Sequence, residues 1–452
     1  MQTSVAISSS TSRVIRWERL ILLLYAMTIP IPTMVAIPPS IRLAVYNYRP
    51  YFIVVVITGF FLFNRFFEHQ RTNIWYDSIK LRNIRILSAF FPVYFVIVSM
   101  LKGKFNVPVM GLYIIWTLCS FWLAPLLMQS IADVRKFLVG FLVVNGFLLI
   151  ITITYTMLIN PSLLSPTHQG RLSFGLENPN IFAQVVQAVF MSLVGIRILA
   201  PERSKWRSVS GYILLAACIL GAFAFAWFAR SRNVLLFMLV AGVSYSVLVL
   251  KGRRKYLTLM AANTVMVVCA LFVFNLAGVE ESNKVSSGRL AYWGSLVEAL
   301  WDGPYPIAAI FVGPASPISV DQAPNRYDAL AAEKKFNKMH VDNFYLEQVL
   351  ESGLIGLLLF LLPYIVMIAR SRYDLTSRSS EGRFLCWAIS LWIALAYQSF
   401  FIPTAPTFNN PIGFFFVIFG IVPVSIIRQK RSDPTARPGA KAVSISVLGG
   451  RH

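Results

Sequence analysis

Acidic side chains are scarce in this chain. Nineteen Asp and Glu stand against 41 Lys and Arg in 452 residues, and only 13% of residues are charged. With 57% hydrophobic residues and a mean hydropathy of +0.65, that scarcity excludes an ordinary soluble domain. Cysteine is scarce too. Cys119, Cys218, Cys269 and Cys386 all lie in apolar runs, with neither a disulfide framework nor metal-ligand spacing, so they read as small packing residues. A Gly-rich nucleotide loop, an Asp-x-Asp pair and a His/Cys metal cluster are all missing. What the chain does have is length of apolar sequence.

A membrane-spanning helix needs ~20 mostly apolar residues. Twelve such stretches stand at 20–37, 50–64, 86–101, 107–128, 137–159, 181–200, 210–229, 233–250, 256–277, 344–369, 384–402 and 411–427. The runs are continuous rather than alternating, which selects helices over barrel strands. The expected fold is an all-α polytopic membrane protein of about 12 transmembrane helices. The first run lacks a small-residue cleavage site and reads as a retained anchor.

The formal net charge of +22 invites a nucleic-acid reading, but the basic residues gather in alternate loops. With the N-terminus cytoplasmic, 27 of the 41 fall on the inner side and 13 on the outer, with Arg197 inside a span. That is the positive-inside pattern, and no nucleic-acid partner is needed. The expected organisation is a cytoplasmic tail over 1–19, nine helices over 20–277, a long periplasmic loop over 278–343, three helices over 344–427, and a basic cytoplasmic tail over 428–452. A loop as long as 278–343 is uncommon without a task. Within it, Ser286 to Arg289 opens a helix on which Leu290, Trp293, Val297, Leu300 and Trp301 recur at helical spacing, as if lying on a membrane surface. Gly303 to Pro306 ends that helix. Gly313 to Pro324 reads as irregular, and Asp328 to Lys338 as a second short helix. No internal repeat is visible, which weighs against an inverted-repeat transporter.

The outer side should be poor in cations, yet four constellations place them at segment ends. Arg171 precedes Gly175 and Asn178-Pro179-Asn180, where Asn180 is a candidate cap for the next helix. This is either a helix entrance with a surface arginine or an anion site at a helix start. Arg230 and Arg232 occupy a tight outer hairpin, either snorkelling or binding an anion. Arg289, with Trp293 one turn on, offers a planar fork suited to phosphate; the tryptophan is a sugar-stacking platform or an interfacial anchor. His340 precedes Asp342, a candidate cap for the tenth span. On a helix extended back to 340, His340, Phe344, Glu347 and Glu351 share one face. Acids in an apolar span usually face a polar cavity. Gly353 and Gly356 read as close-packing positions.

Taken in order, Arg171-x-x-x-Gly175 with Asn178-Pro179-Asn180, Ser231-Arg232, Gly288-Arg289-x-x-x-Trp293 and His340-x-Asp-Asn-x-Tyr-Leu-Glu-x-x-x-Glu-x-Gly-Leu-Ile-Gly356 resemble the bacterial O-antigen ligase/polymerase family. The similarity spans roughly residues 170–365. The resemblance implies an inner-membrane glycosyltransferase acting on the periplasmic side. The donor would be a glycan on undecaprenyl pyrophosphate. The acceptor would be another lipid-linked glycan for a polymerase, or the lipid A core for a ligase. It implies functional roles for Arg171, Arg232, Arg289 and His340. Ligases often show His-x-His-Asn where this chain has His340-Val341-Asp342-Asn343, a departure that leans toward a polymerase.

The mechanism so implied needs no metal and no cofactor. Arg232 and Arg289 hold the leaving pyrophosphate, with Arg171, Arg230, Asn180 and Trp293 helping to bind substrate. His340 activates the acceptor hydroxyl, and a single displacement inverts the anomeric centre. Asp342, Glu347 and Glu351 orient the site or line its cavity. The rival from another class is a lipid-linked oligosaccharide flippase, which should carry its cations in mid-membrane rather than at the outer rim. A membrane scaffold is a third reading, disfavoured by the acids of the tenth span.

Overall fold

A computed structural model of the chain describes residues 26, 28–29, 31–34, 36–45, 79–103, 107–128, 130–161, 174, 176, 179–200, 209–228, 231–250, 289–302, 305–314, 343–371, 379–399, 411–419 and 422. Among these the chain is helical, and its β-type pairing is one isolated antiparallel bridge, Met34 with Leu176. Helix α1 spans Ile79–Leu101 and α2 Val107–Leu118, which runs through a π-helical turn at Cys119–Leu123 into α3, Ala124–Leu127. Helix α4, Ile131–Thr154, ends in a second π-helical turn at Tyr155–Ile159. Then come α5 at Pro179–Ile198, α6 at Val209–Phe228 and α7 at Arg232–Val249. The last five are α8 at Arg289–Trp301, α9 at Pro306–Val312, α10 at Phe344–Ser371, α11 at Ser380–Gln398 and α12 at Pro411–Phe419.

Of the expected runs, the third to eighth and the tenth to twelfth fall on these helices. The second and ninth, and both tails, lie outside the described residues. Among the described residues four stretches are long and apolar enough to cross a membrane: Asn83–Leu101, Ile131–Ile159, Asn180–Ile198 and Phe344–Ala369. Their outer surfaces fit that role. Helix α1 exposes Ile86, Phe90, Val93, Ile97 and Met100, spaced three and four apart. Helix α4 does the same with Val139, Val143, Phe147 and Ile150. Apolar stripes of this length need a cover, and a bilayer supplies it. The chain is a membrane protein.

In lipid, packing rather than water exclusion holds helices together. Here the packing is aromatic. Phe91 of α1 meets Tyr113 of α2 edge-on at 4.9 Å and Phe360 of α10 at 5.3 Å. Trp116 stacks on Phe360 at 4.6 Å. Tyr364 and Trp392 bring α10 to α11 at 4.2 Å, and Trp392 meets Phe416 of α12 at 4.7 Å. Each such pair contributes about 0.5–1.5 kcal/mol beyond its burial. Helices α5 and α11 are joined differently. Gln187 and Gln398, both fully buried, exchange reciprocal amide hydrogen bonds of 3.0 Å. Farther along, Gly195 lets α5 approach the Trp387 ring, where an added Cβ would lie 2.7 Å from Cζ2. The described cysteines Cys119, Cys218 and Cys386 are free, and Cys269 lies outside the described residues.

Two expectations need correction. The tenth span is not one continuous helix: α10 breaks at Gly353, where φ is 71° and ψ −179°. The glycine is there for its backbone, and helix α9, unforeseen in the sequence, is the reason. Its end is lodged against the break, so that a Cβ at 353 would overlap the Phe311 carbonyl. Gly356 does serve close packing, facing Tyr94 of α1. The second correction concerns α8. The helix forms where expected, but its buried apolar positions are Leu296 and Leu300, while Val297 and Trp301 are exposed, so the five named positions do not form one face. Gly313 and Pro314 are irregular as expected; 315–324 and 328–338 lie outside the described residues.

Gly353→Ala should therefore destabilise the protein by about 2 kcal/mol or more, combining left-handed backbone strain with the carbonyl overlap. Thermal unfolding of the detergent-purified protein checks this; an unchanged midpoint would mean the break can straighten.

Candidate functional site at the helix ends

The starts of α5, α7 and α10 and the end of α11 come together at one end of the bundle. Helix α7 lies along α11 in the opposite direction, with Tyr245 near Arg383 and Cys386. The Gln187–Gln398 pair ties the end of α11 to the third turn of α5. Phe344 N–H donates to the Ser399 carbonyl at 2.9 Å, and the Tyr345 hydroxyl donates to the Ala396 carbonyl at 2.8 Å, fixing the start of α10 on the same end.

The starts of α5 and α7 thus bring N–H groups without an intrahelical partner into one region, beside the start of α10, whose N–H groups are held by Ser399 and Asn343. The first turns of α5 and α7 carry no acid, and neither does that of α8. Helices α7 and α8 instead begin on a cation, Arg232 and Arg289. A cation at the positive end of a helix dipole is disfavoured, so an external anion would stabilise these starts. Ser231 occupies the cap position of α7 but makes no side-chain cap. It is 1% exposed, and its Oγ has no hydrogen-bond partner among the described residues. The same holds for Gln184 Oε1, one turn before Gln187.

The turn before α5 is held by Phe174. Its backbone is left-handed, φ 46°, a costly conformation for a bulky residue. Its ring is buried, stacked on Phe182 at 4.7 Å and edge-on to Phe225 at 5.7 Å. Arg171, Arg230, His340 and Asp342 lie outside the described residues, as do the side chains of Arg232 and Arg289. Asn180 does not cap α5. Pro179 takes the first helical position, which suits proline, and Asn180 sits inside the first turn. The cap of α10 is Asn343 rather than Asp342: Asn343 Oδ1 accepts from Leu346 N–H at 3.1 Å. With the helix starting at Phe344, helical continuity does not carry His340 onto the face of Glu347 and Glu351. Trp293 is half-buried on α8, which packs against α9.

A second polar group surrounds the break in α10. Lys102, just past α1, donates to the carbonyls of Val312 at 2.8 Å and Glu351 at 3.2 Å. The Tyr94 hydroxyl donates to the Ser352 carbonyl at 3.0 Å. The carbonyls freed by the break are satisfied in this way. On the neighbouring turn, Glu351 Oε2 accepts from the Tyr113 hydroxyl at 2.9 Å, and Gln348 Nε2 donates to Tyr113 Oη at 2.7 Å. Glu351 is exposed and Glu347 half-buried; neither is buried in mid-bundle.

Sequence reasoning missed Ser231, Gln184, Gln187, Gln398, Lys102, Tyr113 and Gln348. The glutamines had a signal, since Gln184 and Gln187 are polar residues one turn apart in an apolar span. Tyr113 and Gln348 are 235 positions apart and gave none.

No curated protein matches the chain. Residues 207–361 match a family model described as O-Antigen ligase. That stretch holds Ser231-Arg232, Arg289 and the segment from His340 to Gly356, whereas Arg171 and Asn180 precede it. Over residues 207–361 this match supports the resemblance to the O-antigen ligase/polymerase family.

Proposed function

We propose that the protein is an inner-membrane glycosyltransferase of surface polysaccharide assembly. It moves a glycan from undecaprenyl pyrophosphate to an acceptor sugar on the periplasmic side. The observation that carries this reading is that the starts of α5 and α7, brought to one end of the bundle by α11, carry no acid, and that α7 and α8, both in the matched stretch, each open on arginine. Such an arrangement suits a pyrophosphate, whose charge grows as it leaves. The acceptor hydroxyl oxygen attacks the anomeric carbon, and its proton passes to His340. The bond from that carbon to the pyrophosphate oxygen breaks, with the electron pair leaving on the pyrophosphate. One displacement inverts the centre. Fixed guanidinium groups do the charge work a metal would otherwise do. Arg171, Arg230 and Asn180 add to the anion site, and Trp293, Asp342, Glu347 and Glu351 to the glycan site.

A polymerase is favoured because Asp342 stands where ligases often carry a second histidine. The description of the matched family favours the second reading, a ligase acting on the lipid A core. Lipid-linked glycan length in a deletion strain separates them. Single repeat units mean a lost polymerase, and long chains stranded on the carrier mean a lost ligase. An unaltered glycan profile would overturn both.

The orientation has its own test. In a background without native cysteines, single cysteines at 168 and 320 should label from the periplasm, and those at 205 and 375 should not. Periplasmic labelling at 205 would invert the topology and remove the site from the periplasmic side.

A further inference from the structure

We propose that Tyr113, Gln348 and Glu351 form a subsite that binds hydroxyl groups of the glycan, apart from the anion site at the helix starts. It deepens the glycosyltransferase reading and rests on it.

The hydrogen bonds of this group run in one direction. Gln348 Nε2 donates to Tyr113 Oη at 2.7 Å, and Tyr113 Oη donates to Glu351 Oε2 at 2.9 Å. A longer contact of 3.4 Å joins Gln348 Nε2 to the same carboxylate oxygen. That carboxylate partner fixes which way the amide faces, because only the N–H side can meet it. The Tyr113 ring is wedged between Phe91 at 4.9 Å and Phe95 at 4.8 Å, so its hydroxyl is held in place. The tyrosine's single donor is used inside the group, and the amide's nitrogen faces inward. What is left unpaired is acceptor capacity. Gln348 is 3% exposed, yet its Oε1 has no hydrogen-bond partner among the described residues. It shares a planar amide with the nitrogen that bonds Tyr113, so it opens on the same group. Glu351 adds a second carboxylate oxygen.

Two acceptors beside one anion define the ligand by its chemistry. A phosphate offers acceptors and a negative charge, and is repelled. A second cation would sit beside Lys102, whose ammonium already bonds the Glu351 carbonyl. A sugar ring offers neighbouring O–H donors and no charge, and fits. The group is also within reach of water. Glu351 is exposed, and Lys102 places it level with the end of α1 rather than in mid-bundle. A mere brace would close its own acceptors, and this one leaves them open.

The experiment uses the full-length protein in nanodiscs. The probe is the free oligosaccharide released by mild acid from the host's lipid-linked glycan, with binding read by calorimetry. Transfer of the intact lipid-linked glycan is measured alongside. Glu351→Gln, on the exposed carboxylate, and Gln348→Met, of similar volume, should each weaken binding about tenfold, the scale of one charge-assisted or buried hydrogen bond. KM should rise by a similar factor while kcat stays within about threefold. Tyr113→Phe should follow them. If Glu351→Gln and Gln348→Met bind the oligosaccharide as the wild type does while transfer proceeds, the group is a structural brace and the subsite is overturned. If the wild type binds and the variants do not, yet nothing is transferred, the subsite stands and the glycosyltransferase reading falls.

Discussion

Replacing His340 by alanine should leave donor binding intact and lower turnover by ~10²–10⁴-fold, the usual contribution of a positioned general base. His340 adjoins the capped start of α10, which α11 holds through the Ser399 carbonyl. In the proposed mechanism a base three positions before Asn343 would serve the acceptor while the starts of α5 and α7 would hold the pyrophosphate. His168→Ala, on a different segment, should remain near wild type. The sign of the pH dependence follows from the role. The base works when neutral, so the rate should fall as pH drops through the ordinary imidazole range, ~6.5. Single-turnover transfer of purified lipid-linked glycan across a pH series, with chelator present, is the measurement. Near-wild-type turnover in His340→Ala, or abolition by the chelator, would refute a metal-free histidine mechanism.

The second large effect concerns the arginines that open α7 and α8. Arg232→Ala and Arg289→Ala should each reduce transfer ~10³-fold with protein level unchanged, the scale seen when a fixed cation is removed from a leaving phosphate. Arg289→Lys should recover little, because a point charge replaces a planar two-pronged donor. Stability should not suffer, and could rise slightly, since each change removes a cation from the unfavourable end of a helix dipole. That combination separates a functional arginine from a structural one. Full activity in both alanine variants would rule out arginine-held pyrophosphate.

The helices were largely legible because a span is a local property: about twenty apolar residues declare themselves without knowledge of their neighbours. The arginine and histidine motifs were legible for the same reason, each being a short run at a segment end. What escaped depended on distant parts of the chain. Gly353 looks like a packing glycine until α9 is laid against it, and α9 itself, seven residues behind a Pro-rich stretch, is too short to show a period. Tyr113 is an ordinary aromatic of an apolar span until α10 brings Gln348 and Glu351 to it. The caps were a different kind of miss. Pro179 favours the first helical position, which carries Asn180 past the cap, a cue present in the sequence. Asn343 beside Asp342 was an even choice, decided by where α10 begins.

The amide pair between Gln187 and Gln398 restricts how this bundle can move. Two reciprocal hydrogen bonds exist at one axial register only. A slide of one residue, ~1.5 Å, would break both and leave two amides dry in a medium without water. Gly195 against the Trp387 ring acts as a ratchet tooth in the same direction. Helices α5 and α11 therefore behave as a keel that resists piston-like strokes. Any displacement during a substrate cycle must be taken up by parts not keyed to it. The opening turns of α10, bonded to Ser399 and Ala396, belong to the keel, which leaves the break at Gly353 as the place where such a displacement would be taken up.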